Sequence, residues 1–236
     1  MVPRKVAIRI RKTHRYLGIF LGIQFLMWTV SGLYFSWTDI DEIHGDHLRN
    51  PSPQVQGFDS LISPDKLPFK QPIFALELRE IASIPYYWIN KEVLVNAHTG
   101  ILKKGITKEE AIAVANQQMK EDLKVSEVER ILKTDKHHEY RGRPLPAYVI
   151  SYKSPENVKA YVSEKDGAFQ RVRHQSWRWF DFLWMTHTMD YEGRDNFNTT
   201  LLRIFSLMGV FTVLSGFSLW LVSSPTMRKL FKPKSD

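Results

Sequence analysis

YLGIFLGIQFLMWTVSGLYFSW, residues 16–37, decides the architecture of this chain of 236 residues. The stretch holds no charged side chain, and most of its positions are Ile, Leu, Phe, Val, Gly, Trp or Met. As a helix it would rise about 33 Å, enough to cross a hydrocarbon core of about 30 Å. A helix packed on a soluble core would keep a polar face, and this one has none. Residues 204–222, IFSLMGVFTVLSGFSLWLV, repeat the pattern. The expectation is two transmembrane helices, at 16–37 and 201–222.

The first run is longer than the apolar region of a cleaved signal peptide, about 7–15 residues, and no small-x-small cleavage site follows it. Trp37-Thr38-Asp39-Ile40-Asp41 follows instead, an aromatic anchor and then acids. The run therefore reads as an uncleaved signal anchor.

The flanks set the orientation. Arg4, Lys5, Arg9, Arg11, Lys12 and Arg15 precede the first span with no acid among them, and Asp39, Asp41, Glu42 and Asp46 follow it. Arg228, Lys229, Lys232 and Lys234 follow the second span. Cations are retained on the cytoplasmic side, which predicts both termini inside and the intervening domain outside. These ten flanking cations exceed the net charge of +8. Anionic headgroups of the lipid bilayer account for them, and no nucleic-acid partner is implied.

Between the spans the sequence reads as a mixed α and β domain, 38–175. Ile73–Leu78, Tyr86–Val95, Pro146–Tyr152 and Val158–Val162 have strand character, with turns at Ala97-His98-Thr99-Gly100 and Lys165-Asp166-Gly167. Asn50-Pro51-Ser52-Pro53 ends the polar junction after the first span, and a loop runs on to about Phe69. Thr107-Lys108-Glu109-Glu110 is a capping box, opening a helix with Ala111, Val114, Ala115 and Gln118 on one face and Met119 beside it. Val95–Gly100 and Val162–Gly167 each place a glycine five residues after a strand valine, a weak signal of an internal repeat. Trp177, Trp179, Phe180, Phe182 and Trp184 crowd the segment 176–200. Such rings favour the membrane–water interface, so a surface-lying helix is expected there, followed by a polar loop at residues 190–196. Residues 1–15 and 223–236 are the basic leader and tail.

There is no cysteine. Disulfides, iron–sulfur clusters, thiolate metal sites and covalently attached haem are thereby excluded. Any redox cofactor must rest on His, Met or non-covalent contacts. Of eight histidines, His14, His44, His47 and His187 lie at the predicted membrane boundaries. His98, His137, His138 and His174 fall in predicted loops or strand ends and read as solvated surface imidazoles.

In one continuous helix His14 and His44 would be about 45 Å apart, so they cannot ligate one metal. His44 and His47 share a face if helical, and His187 approaches the same outer surface. A neutral imidazole is a good axial ligand for haem iron, and apolar and aromatic walls suit the porphyrin. Three readings stay open on spacing alone: haem ligation at His14, His187, His44 and His47; a zinc site from His44, His47, His187 and an acid; and polar interfacial residues bonded to headgroups or to Asp41 and Asp46.

Three pieces carry a family resemblance. Thr13-His14-Arg15-Tyr16-Leu17-Gly18 with Trp28-Thr29-Val30-Ser31-Gly32-Leu33-Tyr34, then Asn96-Ala97-His98-Thr99-Gly100 with Ile106-Thr107-Lys108-Glu109-Glu110-Ala111, then Leu214-Ser215-Gly216-Phe217-Ser218-Leu219-Trp220-Leu221 resemble PepSY-associated transmembrane proteins. The resemblance covers nearly the whole chain. It implies two transmembrane helices joined to a periplasmic α+β PepSY-like domain. Members include inner-membrane ferric and ferric-siderophore reductases with b-type haem.

By that resemblance His14 matches the first-helix histidine and His187, in Leu183-Trp184-Met185-Thr186-His187, the histidine before the later helix. The segment Ile43-His44-Gly45-Asp46-His47 resembles that of the shorter, two-helix iron reductases. The longer members carry four helices in one chain. Two here imply a homodimer, restoring a four-helix bundle with one or two haems b.

The implied partners are a cytoplasmic electron donor or quinol and a ferric iron or ferric chelate. No Gly-x-Gly-x-x-Gly fingerprint and no His-Glu-x-x-His motif is present. PepSY domains also occur in regulators, so a membrane-anchored binding module without redox activity is the alternative.

Overall fold

A computed structural model of the chain describes residues 3–51, 57–68 and 70–225. Ser52-Pro53 of the junction, Phe69, and the tail cations Arg228, Lys229, Lys232 and Lys234 lie outside the described residues. The fold divides into two compact units, Met1–Trp37 with Asp181–Asp236, and Thr38–Phe180.

The first unit is built on α1, Arg4–Trp37, and α5, Thr200–Ser223. Both are long and apolar enough to cross a membrane. Residues 4–15 form the first turns of α1, since nothing after Pro3 breaks the helix. At 34 residues α1 is about 51 Å long, so it outreaches the bilayer core. The two helices are antiparallel: His14 of α1 meets Ser215 of α5, and Phe25 meets Gly209. Small residues allow the approach, with Gly209 and Thr212 both buried. Away from this seam Ile19, Ile23, Leu26, Leu207 and Phe217 are each more than half exposed, as lipid-facing side chains must be.

The aromatic segment forms a helix, α4, Gln175–Thr188. The polar loop after it closes on one buried side chain. The Asp190 carboxylate accepts from the N–H groups of Gly193 at 3.0 Å and Asn196 at 2.9 Å. Burial opposes its ionisation, and these backbone donors outweigh that and hold its pKa below the ordinary carboxylate value.

The second unit holds α2, Ile40–His44, a 3-10 turn at Asp46–Leu48, α3, Lys108–Gln118, and two four-stranded antiparallel sheets. Strands β1 Leu76–Ile81, β2 Ile84–Ile89, β3 Val93–Asn96 and β4 Leu102–Lys103 form one sheet in sequence order. Strands β5 Val125–Ile131, β6 Ala147–Tyr152, β7 Lys159–Ser163 and β8 Phe169–Arg173 form the other. Ala111, Val114 and Ala115 of α3 enter one core with Ile81 and Trp88 from the first sheet and Ile150 and Val162 from the second. The capping box is complete, Thr107 Oγ1 accepting from Glu110 N–H and Glu110 from Thr107 N–H.

Three details differ from the sequence expectation. Tyr86–Val95 is two strands, not one, because Asn90 and Lys91 turn the chain with φ of 53° and 59°. Asn90 tolerates that conformation and is clamped, its Oδ1 accepting from Phe74 N–H at 3.0 Å and its Nδ2 donating to the Pro72 carbonyl at 3.0 Å. The first strand lies three residues later than predicted. Strands β5 and β8 had no apolar alternation to announce them. Both are edge strands, and charges such as Glu127, Glu129, Arg130 and Arg171 sit where an exposed edge admits them.

The weak repeat signal marks equivalent hairpins. Gly100 and Gly167 each close the turn between the third and fourth strands of a sheet, at φ of 70° and 66°. In each, the glycine N–H donates four residues back, to Asn96 O at 2.8 Å and Ser163 O at 3.0 Å. The helices α3 and α4 each begin eight residues after that glycine. In chain order the two meanders are thus tandem modules, each followed by a helix.

Gly167 is the more constrained of the two. A Cβ there would lie 2.8 Å from Cγ1 and Cδ1 of the fully buried Ile81. Gly167→Ala is expected to destabilise the chain by about 2–4 kcal/mol, combining left-handed strain with overpacking. Urea unfolding of the detergent-solubilised protein checks this; an unchanged midpoint would refute it.

Candidate cofactor and metal centres

His14 stands on α1 facing α5. Its Nδ1 lies 2.9 Å from Ser215 Oγ. That hydroxyl has one proton and donates it to the Thr212 carbonyl of its own helix at 2.7 Å. With the hydroxyl proton so placed, Ser215 is an acceptor for His14 Nδ1–H, the tautomer that leaves the Nε2 lone pair for another ligand. The neighbouring Gly216 keeps the ring's flank open, since a Cβ there would be 3.3 Å from His14 Cε1. Gly216 also lines an apolar groove of about 480 Å³ with Val213, Phe217 and Trp220.

His187, in the last turn of α4, is held the same way. Its Nδ1 lies 2.7 Å from Ser31 Oγ, and Ser31 donates to the Met27 carbonyl at 2.6 Å. The same arrangement pairs Nδ1–H with the serine oxygen and leaves Nε2 as the ligand atom. Burial pushes the imidazole pKa down, in favour of the neutral ring. One face of α1 receives this end of α4. Gln24 donates to the Thr186 carbonyl at 3.3 Å and Trp28 to the His187 carbonyl at 2.8 Å, satisfying last-turn acceptors, while Phe35 meets the His187 ring edge-on. His14 and Ser31 are 17 residues apart on α1, so the two imidazole sites are about 25 Å apart along it.

The serines were not singled out as partners of these imidazoles. The signal available was the Ser-Gly pair in both spans, Ser31-Gly32 and Ser215-Gly216.

The junction histidines part company. His44 is exposed. Gly45, at φ 86°, ends α2 and turns the chain against Val172, which brings His47 beside His174 with ring centroids 5.1 Å apart. His174 corrects the expectation of a solvated imidazole: it is fully buried, because it directly follows β8 beneath that turn. Its Nε2 lies 3.1 Å from the Ile43 carbonyl, an acceptor, so Nε2 carries the proton. Nδ1 has no hydrogen-bond partner, and Glu156 Oε2 is 3.4 Å from it. Burial pushes the His174 pKa below the ordinary value, the Ile43 contact opposing. His98 and His137 are exposed, and His138 accepts from Tyr140 N–H at 3.0 Å.

Two membrane-crossing helices, histidines pinned by serines in those helices, and an inserted two-module α+β domain define a small integral membrane protein with candidate imidazole ligand sites. The chain belongs to the family described as the PepSY-associated TM region, which matches residues 11–234. No curated protein and no solved structure matches it.

Proposed function

We propose that this chain is a b-type haem protein of the bacterial inner membrane, passing electrons from a cytoplasmic donor or quinol to ferric iron or ferric chelates in the periplasm. The carrying observation is the shared contact of His14 and His187, each with Nδ1 within hydrogen-bond distance of a helix serine. Each imidazole turns Nδ1 to a serine hydroxyl that also contacts a carbonyl of its own helix, an arrangement that leaves Nε2 as the ligand atom. The donor chemistry fits haem iron, and the groove beside His14 offers apolar and indole surface for a porphyrin. Haem held there would change oxidation state by one electron, the step that converts ferric to ferrous iron.

The chain's own parts have definite tasks. The serines set ring orientation and basicity. Gly216 leaves the ligand face of His14 clear. The apolar helices keep water from the path, and the separation of about 25 Å along α1 sets the two sites toward opposite ends of the span. A quinol donor would release two protons and two electrons, enough for two ferric ions. Two helices wall a haem on one side only, so a homodimer completes the enclosure and sets the His14 of each protomer across a two-fold axis. Fe(II) is bound more weakly than Fe(III) by hard oxygen chelators, so reduction frees it for uptake.

Purified protein from haem-replete cells should show a Soret band and reducible α and β bands, with one or two haem irons per functional unit. A colourless, iron-free preparation would overturn the proposal and leave a membrane-anchored binding module.

A further inference from the structure

The periplasm-assigned unit contains a second group of ligands that the electron path does not use. The ligand atoms of His47, Glu156 and His174 lie within 4.8 Å of one another. His174 Nδ1 is 3.4 Å and His47 Nε2 is 3.7 Å from the same Glu156 oxygen. Ligands about 2.0–2.1 Å from a tetrahedral ion stand roughly 3.4 Å from each other, so these spacings are close to those around one metal.

The hydrogen bonds leave a place for a cation there. His174 Nε2 donates to Ile43, so a neutral ring turns a bare Nδ1 toward a carboxylate oxygen, acceptor against acceptor. A cation between them would engage both lone pairs. A second ring proton would serve, but it would charge a fully enclosed imidazole. An ion held jointly by the three side chains meets the same need, with direct ligand bonds offsetting the cost of its charge.

The frame is fixed before any ion arrives. Gln175 N–H donates to the Glu156 carbonyl at 2.8 Å, tying the β6–β7 loop to the residue after His174. Gly45 seats the His47 turn against Val172, where a Cβ would come within 3.1 Å. The side chains of His47 and Glu156 are 34% and 44% exposed, which gives an ion an entry path and leaves water a coordination position.

We propose that His47, His174 and Glu156 bind one divalent first-row transition ion of the zinc or ferrous class, independently of the sites at His14 and His187. Two imidazoles and one carboxylate select such ions over magnesium and calcium, which prefer all-oxygen shells.

Equilibrium dialysis of the full-length protein in detergent tests this. One arm uses ZnCl2, a second FeSO4 without oxygen, and a third MgCl2. One zinc or one chelator-accessible ferrous ion per chain is expected, and no magnesium. The zinc and ferrous arms show which ion is held more tightly. His47→Ala and Glu156→Gln, both at partly exposed positions, should weaken binding at least tenfold with the haem spectrum unchanged. His44→Ala should bind as the parent does. No zinc or ferrous binding by the parent, equal binding by His47→Ala and Glu156→Gln, or preferred magnesium uptake would each overturn the proposal. Because the readout is metal other than haem iron, a chain that lacks haem still tests it.

Discussion

His14→Ala and His187→Ala should each strip the haem that depends on that imidazole, read as loss of the matching share of Soret absorbance in purified membranes. No neighbour can stand in for either ring. Ser215 and Ser31 hold the opposite nitrogens, and neither span contains another histidine. The serines give a graded version of the experiment. Ser215→Ala and Ser31→Ala keep the iron ligand but release its Nδ1 anchor, and outer-shell losses of that kind lower affinity by about 10–100-fold. The deficit should therefore be recoverable by added hemin in the serine variants and not in the histidine variants. His98→Ala, at an exposed turn, should change nothing. Full haem content in both histidine variants would sink the ligand assignment.

The second large effect concerns stability. Glu139, between β5 and β6, joins parts of the second unit that are far apart in sequence. Its carboxylate accepts from Tyr161 Oη at 2.5 Å and from Arg178 Nε at 2.8 Å, with Lys159 Nζ at 3.9 Å, and its carbonyl accepts from Arg173 Nε at 3.1 Å. Burial opposes its ionisation, and the bonds from Arg178 and Tyr161 outweigh that, so its pKa falls below the ordinary value of 4.5. Glu139→Ala leaves a buried phenol and a part-buried guanidinium without their acceptor. It should cost about 2–4 kcal/mol at neutral pH.

The pH dependence has a definite sign. A carboxylate with a depressed folded pKa contributes its stabilisation above its unfolded value, and loses it as pH falls through the folded one. The gap between parent and variant should be full at pH 7 and shrink below about pH 4. Chemical unfolding followed by circular dichroism at both pH values checks this. A gap that stays constant with pH would mean that packing rather than the charge carries the effect.

Local features of the chain were legible without coordinates. The two apolar runs, the capping box at Thr107 and the glycine turns each depend on a few adjacent residues, and each stands where it was read. The hairpin at Asn90 was hidden because Asn-Lys is a poor advertisement for a turn that long-range bonds to Phe74, Ala75 and Pro72 hold in place. Edge strands β5 and β8 were hidden because one unpaired side frees them from the alternation that marks central strands.

The histidines show where such reading ends. Sequence alone determined which imidazoles flank apolar helices, because hydropathy and spacing are properties of contiguous residues. Tertiary structure alone decided what each ring meets. His14 finds Ser215 across 201 positions, His187 finds Ser31 across 156, and His174 finds the Ile43 carbonyl across 131. A tautomer is set by the partner of the other ring nitrogen, and burial by the segments folded over it. Neither is written in a residue's own neighbourhood, so a ring that looked like surface at His174 became the most enclosed of the eight.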